Sequence, residues 1–320
     1  VSPRASIPAA FTLLCLIWGS TWLAIKFGVE SVPPLLSASL RFVIAAGTLL
    51  LLTAVLKKAL PTRRSEWGVI LLVGVLLFTF DYGLIYWGEA NGVESGLSAI
   101  LFATMPLQTA IAAHLIVAGE RLTLQKLLGI GLGFGGVVLI FREQMGSAGF
   151  EKFFPMAAIV LSAACAATST AAMKRWAHDI DPFAFNGFAM AIGAVGLAVG
   201  SFVAAEPWGV PAWPAGLLPI LYLALAGSVV TFVAYAWLLK RVQATSASFI
   251  ALVTPIVALF LGVAIADEAF RPLDLVGSAV TLGGIYLAMS ARVSRWGRGI
   301  APRRKDLPST LPTDPPKEDG

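Results

Sequence analysis

Charge is scarce in this chain. Asp, Glu, Lys and Arg make up 13% of its 320 residues, hydrophobic residues make up 58%, and the mean hydropathy is +0.82. A soluble domain carries about 25% charged residues, so a chain this long and this apolar is expected to be a polytopic membrane protein with the lipid bilayer as its surroundings. Cysteine is nearly missing: Cys15 and Cys165 fall within apolar runs, make no metal-ligand spacing and read as small buried thiols. Histidine is equally sparse, and His114 and His178 lie too far apart for a metal site or a proton relay. The chain has no H-E-x-x-H and no Walker lysine loop, which argues against a membrane-embedded enzyme and against ATP hydrolysis. No cofactor and no metal are expected. The net charge of +5 is scattered over short loops and one tail, so nucleic acid is not expected as a partner. Alternating polarity is also lacking, which excludes a membrane barrel and leaves helices. Phe11–Ile25 runs straight into the body of the protein without a small-residue cleavage site, so a cleavable signal peptide is not expected.

Glycine is abundant, and one run of it invites a misreading. Gly131, Gly133 and Gly136 spell G-x-G-x-x-G, and Glu151 stands where an acidic ribose partner is sought. The dinucleotide fingerprint needs a strand before its first glycine and a helix opening at its last. Here the glycines lie inside one apolar segment, Leu127 to Phe141. Gly129 with Gly133, and Gly131 with Gly135, also read as G-x-x-x-G, the pattern that lets helix backbones approach closely in a bilayer.

Ten apolar segments read as membrane-spanning helices: 8–29, 34–56, 66–88, 95–118, 123–141, 154–176, 182–205, 215–239, 244–265 and 271–291. With an internal N-terminus, Lys57, Lys58, Arg63, Arg64, Arg121, Lys126, Lys174, Arg175, Lys240, Arg241 and the arginines of the C-terminal tail all fall inside. Arg142, Lys152 and Arg271, with Lys26 near a span end, fall outside. That asymmetry places both termini in the cytoplasm.

The chain is also written twice. An offset of 148 carries Lys26 to Lys174, Pro34 to Pro182, Glu120 to Glu268 and Gly129 to Gly277. An offset of 149 carries Tyr86 to Tyr235 and Pro106 to Pro255. Each copy holds five spans. Five is odd, so the second copy enters the membrane upside down, as in the inverted repeats of secondary transporters.

The segment IWGSTWLAIKFGVESVPPLLSASLRF, Ile17 to Phe42, resembles the opening of an EamA-type repeat of the drug/metabolite transporter superfamily. Trp18-Gly19-Ser20, Lys26, Pro33-Pro34 and Arg41 carry the likeness. The series Pro106, Glu120, Gly129, Gly135-Gly136 matches the repeat's end, and Pro255, Glu268, Gly277, Gly284 matches it again. The resemblance implies an all-α integral membrane fold of ten helices, two inverted five-helix repeats around a central cavity. The fifth and tenth helices would pack outside it. The repeats are expected at 8–146 and 152–291, followed by a basic, then proline-rich, disordered cytoplasmic tail at 292–320. It further implies a bacterial inner-membrane carrier, an exporter of amino acids, aromatic ones among them, or of related metabolites. A carrier of drugs, polyamines or nucleotide sugars on the same fold is the alternative. Monomer and homodimer both stay open. The second copy departs from the pattern, with Ala166-Ala167-Thr168 in place of the tryptophan element and Ala189 in place of the arginine.

Counting along the spans at 1.5 Å per residue places Lys26, Arg41 and Asp81 at a common depth in the outer third of the membrane. A lone intramembrane charge is expensive, so Arg41 and Asp81 are expected to pair, with Lys26 close by, as a gate or a zwitterion site. Phe78, Tyr82 and Tyr86 share a helix face at i, i+4, i+8, and Thr231 and Tyr235 occupy equivalent places in the second copy. Such a stripe suits stacking on a planar substrate. Trp18 and Trp22 form another i, i+4 pair. Gln108 and Thr168 are polar at similar depth and join the candidates for substrate binding or gating. Pro106 and Pro255 each remove a backbone donor in mid-span and are candidate hinges.

Overall fold

The computed structural model describes residues 3–93, 95–140, 150–265 and 272–290. The C-terminal tail at 292–320 and Glu268 lie outside the described residues. Ten helical segments follow in order: α1 (Pro3–Ser31), α2 (Pro34–Val55), α3 (Arg64–Ala90), α4 (95–116), α5 (Leu124–Ile140), α6 (Phe153–Trp176), α7 (Pro182–Val203), α8 (Leu217–Leu239), α9 (244–265) and α10 (Pro272–Ser290). Seven are long and apolar enough to cross a membrane, and 124–139, 244–258 and 279–288 are shorter apolar stretches. Only a helix satisfies every backbone amide without water, which is why unbroken apolar sequence takes this form. Leu16, Leu51, Val55, Leu115, Phe202 and Tyr286 point outward as an apolar surface fit for lipid. The polar side chains Arg41, Asp81, Thr109, Asn186 and Thr231 are turned inward and buried.

Gly129, Gly133 and Gly136 of the run pack helix on helix. A Cβ on Gly129 would come within 2.6 Å of Ala288 Cβ and 2.7 Å of the Gly284 carbonyl. One on Gly136 would come within 2.6 Å of the Gly277 carbonyl. The contacts run 129 with 284 and 288, 133 with 281, and 136 with 277, so α5 and α10 lie antiparallel. Gly129 and Gly277 are equivalent in the two copies, as are Gly136 and Gly284. Gly129 meets Gly284 while Gly136 meets Gly277, the reciprocal contact a two-fold relation produces. Thr281 adds a hydrogen bond to the Gly133 carbonyl at 3.2 Å. Gly131 and Gly135 meet nothing within 4 Å, so that second G-x-x-x-G pair does not take part.

α2 and α7 pack in the same antiparallel sense, with Ser39 donating to the Ala194 carbonyl at 2.9 Å and Gly187 against Leu49 and Leu50. Two helices are capped from the other half of the chain. The backbone amides of Leu35 and Leu36, at the start of α2, donate to Glu206 at 3.1 and 2.9 Å, and Ser201 holds the same carboxylate. The amide of Ala244, at the start of α9, donates to Glu120 at 2.7 Å. Such carboxylates satisfy orphan amides and complement the helix dipole. α7 needs no such help, because its own Asp181 caps it.

Helices α3 and α8 each contain a π-helical stretch, Gly74–Asp81 and Leu225–Val230. With the offset of 149 the two stretches overlap and share their end, immediately before Tyr82 and Thr231. Each is braced by a hydroxyl that donates five residues back: Thr79 to the Gly74 carbonyl at 3.1 Å, Ser228 to the Leu223 carbonyl at 2.9 Å. Thr79 and Ser228 are themselves equivalent. Short π segments inside α-helices are frequent at functional sites.

Candidate functional site

Between the copies lies a cavity of about 90 Å³, walled by α1, α3 and α4 from the first and by α6, α8 and α9 from the second. That is room for several waters or a small organic group. Trp18, Trp22, Asp81, Tyr82 and Tyr235 of the expected residues reach it. Trp18 packs against Phe232 and Tyr235 with ring centroids 5.4 and 5.3 Å apart, and its indole N–H donates to the Gly227 carbonyl at 3.3 Å. Trp22 meets Phe102 at 5.8 Å. Tyr235 shares a 3.0 Å hydrogen bond with Thr170.

The other expected residues stand off the cavity. Phe78 is buried edge-on between Phe42 and Phe232, with centroids at 5.2 and 4.9 Å. It stacks with Tyr82 at 6.4 Å, so only the middle of the predicted aromatic stripe lines the cavity. Tyr86 is fully buried. Gln108 donates to Thr104 at 3.0 Å, and Thr168 donates to the Ala164 carbonyl of its own helix at 2.8 Å. Thr231 donates to the Gly227 carbonyl at 2.8 Å.

The expected pairing of Arg41 with Asp81 is replaced by another arrangement. Arg41, 1% exposed, donates through Nε to Ser228 Oγ at 2.9 Å and through Nη2 to the Gly227 carbonyl at 3.0 Å. Its guanidinium also lies 4.7 Å from the centre of the Tyr82 ring. The physical reason is the π segment of α8: that stretch presents the Gly227 carbonyl, which also takes the Trp18 and Thr231 donors, and so supplies acceptors that counting depth along α2 and α3 cannot see. Gly227 has to be small here, since a Cβ would come within 2.9 Å of Thr21. Lys26 is not close by either. It is exposed at the end of α1, where its charge acts on Glu89. Its counterpart Lys174 donates to the carbonyls of Leu239, the last residue of α8, and Val242, just beyond it, both at 2.6 Å.

Asp81 is therefore left with one carboxylate oxygen unpartnered. It is 2% exposed, lines the cavity, and its Oδ1 has no hydrogen-bond partner. Ser162 is its polar neighbour, and the proton of that hydroxyl goes to the Ile159 carbonyl.

The two prolines differ. α4 is interrupted at residues 103–104, and Pro106 falls in the first turn of the renewed helix, where its missing N–H breaks no bond. α9 is interrupted at Phe249, whereas Pro255 sits inside the continuous helix Ile250–Ile265. Phe102, Met105 and Phe232 line the cavity without having stood out in the sequence, because an apolar residue on an apolar helix carries no pattern.

Comparisons with known proteins agree with this architecture. A solved crystal structure of a protein superposes with a TM-score of 0.75 at 19% identity, covering 90% of this chain and 98% of that one, which establishes the fold. An uncharacterized transporter, YoaV, of Bacillus subtilis is 28% identical over 85% of this chain and 92% of its own length. An uncharacterized inner membrane transporter, YedA, of Escherichia coli is 31% identical over 87% and 89%. The model of the EamA-like transporter family matches twice, at residues 7–142 and 153–290. A multi-pass helical chain that matches this family over both of its copies, with a cavity between them, belongs to the EamA-like transporter family and moves small molecules across a membrane.

Proposed function

We propose that the protein is a secondary carrier that works by alternating access, with its two five-helix copies inverted in the bilayer and the substrate held where they meet. The observation that carries this reading is the cavity at that seam, lined from both copies, with Asp81 in its wall and one oxygen of that buried carboxylate without a hydrogen-bond partner. The antiparallel, reciprocal packing of α5 on α10 supports inversion, since copies related by a two-fold axis in the membrane plane present each helix upside down to its mate. The excess of Lys and Arg in the loops read as internal supports cytoplasmic termini, and the family resemblance supports a bacterial inner membrane and export.

The substrate is a small metabolite with an ammonium group beside an apolar or aromatic body. Asp81 receives the ammonium and the rings of Trp18, Trp22 and Tyr235 receive the body. Amino acids, aromatic ones first, are the members of that class the family resemblance implies. Organic cations are the second reading, favoured by the absence of Arg41 and Lys26 from the described lining. Counterflow in proteoliposomes against labelled amino acids and amines is the test. Saturable exchange of at least one ammonium compound is expected, and a panel with no substrate-dependent flux rejects the reading. Membrane-impermeant labelling of single cysteines placed after Gly119 and after Ala266 should mark opposite faces; labelling from one side sinks the inversion.

A further inference from the structure

We infer that the cavity is built for monoamines that lack a carboxylate, so that within the proposed class it selects an aromatic or apolar amine over the parent amino acid. The inference rests on the carrier reading above and narrows it through the hydrogen-bonding inventory of the walls.

Among the described lining residues Asp81 is the one acidic or basic side chain. The hydroxyls that line the cavity have mostly given their protons away. Thr21 donates to the Trp18 carbonyl at 2.7 Å, Ser248 to the Thr245 carbonyl at 2.8 Å, and Thr254 to the Ala251 carbonyl at 3.4 Å. A hydroxyl has one donor and two acceptor sites, so these three turn lone pairs, not protons, toward the interior. The Trp18 N–H is spent on the Gly227 carbonyl. Arg41, which a carboxylate would seek, is held through Nε and Nη2 on Ser228 and Gly227, with its guanidinium over the Tyr82 ring, and is not among the lining residues, although its Nη1 has no partner.

The walls thus offer many acceptors, one carboxylate and few free donors. An ammonium brings three donors and no acceptor and finds both hydrogen bonds and charge. Around it the rings of Trp18, Trp22, Tyr82, Phe102, Phe232 and Tyr235 present the π faces and edges that suit a cation on an aromatic body. A substrate carboxylate finds only the hydroxyl of Tyr82 and the second proton of the Thr170–Tyr235 pair, neither of them charged, and shares its enclosure with Asp81. A buried charge without partners is strongly disfavoured.

The experiment compares phenethylamine with phenylalanine and tryptamine with tryptophan on the full-length protein. Binding is read by isothermal titration calorimetry, and exchange by counterflow in proteoliposomes. Each amine is expected to bind at least about tenfold more tightly than its amino acid. Asp81→Asn should lose that preference and most amine binding while keeping its gel-filtration profile, and Asp81→Glu should restore part of it. Equal or tighter binding of the amino acids overturns the inference and leaves the carrier reading in place. So does 2-phenylethanol binding as well as phenethylamine, since the charge would then be irrelevant. Should neither amine bind nor exchange, the inference falls as well. The carrier reading falls with it only if the wider ammonium panel is also inert. Should Asp81→Asn not fold, the paired ligand comparison on the unmodified protein still decides.

Discussion

The two copies share a backbone device and divide the chemistry. Both carry a π segment at the same place, braced by Thr79 in one and Ser228 in the other. In the first copy that segment ends in Asp81 and Tyr82, which face the cavity; in the second it ends in Val230 and Thr231, neither of which lines it. Arg41 of the first copy corresponds to Ala189 of the second, and Trp18 to Ala166. The second copy instead supplies the acceptors Gly227 and Ser228 that hold Arg41. Duplication has thus kept the geometry that opens a helix backbone while the charges collected on one side and their partners on the other. One helix irregularity can hold a ligand-facing carboxylate or anchor a structural cation, according to the side chains placed on it.

The largest effect is expected where the copies are most alike. Gly136→Val and its counterpart Gly284→Val should each abolish recovery of monodisperse protein in detergent, because backbone of the facing helix stands where the new Cβ must go. Gly131→Ala and Gly135→Ala, in open space, should be silent within about 0.5 kcal/mol. A tolerated Gly136→Val would break the reciprocal contact. Next, Arg41→Met should cost about 2 kcal/mol in thermal unfolding, since two hydrogen bonds from a charged donor are lost, while the Gly227 carbonyl keeps Trp18 and Thr231 and Ser228 keeps Leu223. Ala189→Arg in that background should lower stability further, because Ala189 is fully buried and an arginine there overpacks the core.

The cross-copy caps come third. Glu206→Gln and Glu120→Gln should each cost about 1–2 kcal/mol in unfolding, as the loss of a carboxylate at a helix N-terminus does. A null effect for either would mean that this cap does not hold the copies together. Fourth, Asp81→Asn should leave stability equal or raise it by about 1 kcal/mol, whereas Val230→Asn should lower it, a contrast expected of a carboxylate kept for a ligand. The smallest contrast sets Lys174→Met, which frees two carbonyls and should cost about 1 kcal/mol, against Lys26→Met, exposed and expected to be within about 0.5 kcal/mol.

Ten apolar runs, their doubling and the small-residue faces of α5 and α10 were all legible from the chain, because lipid forces each segment into a helix and a glycine face has few other uses. Cavity residues were legible where polarity broke an apolar helix, as at Asp81 and Tyr82, or where a tryptophan pair marked a face, as at Trp18 and Trp22. Phe232 and Met105 carried no such mark. The partner of Arg41 was read wrongly for a definite reason. Depth along regular helices ranks residues by height but says nothing of azimuth, and a π segment shifts both by adding a residue to the turn.

The chain alone therefore determined that this is a duplicated helical membrane protein with a few costly charges, since local hydrophobicity and spacing are sufficient for that. Which charge found a partner and which was left facing the cavity was decided only in three dimensions. That choice depends on the carbonyl of Gly227, a backbone group every sequence has and none displays, brought to Arg41 by the packing of one copy on the other.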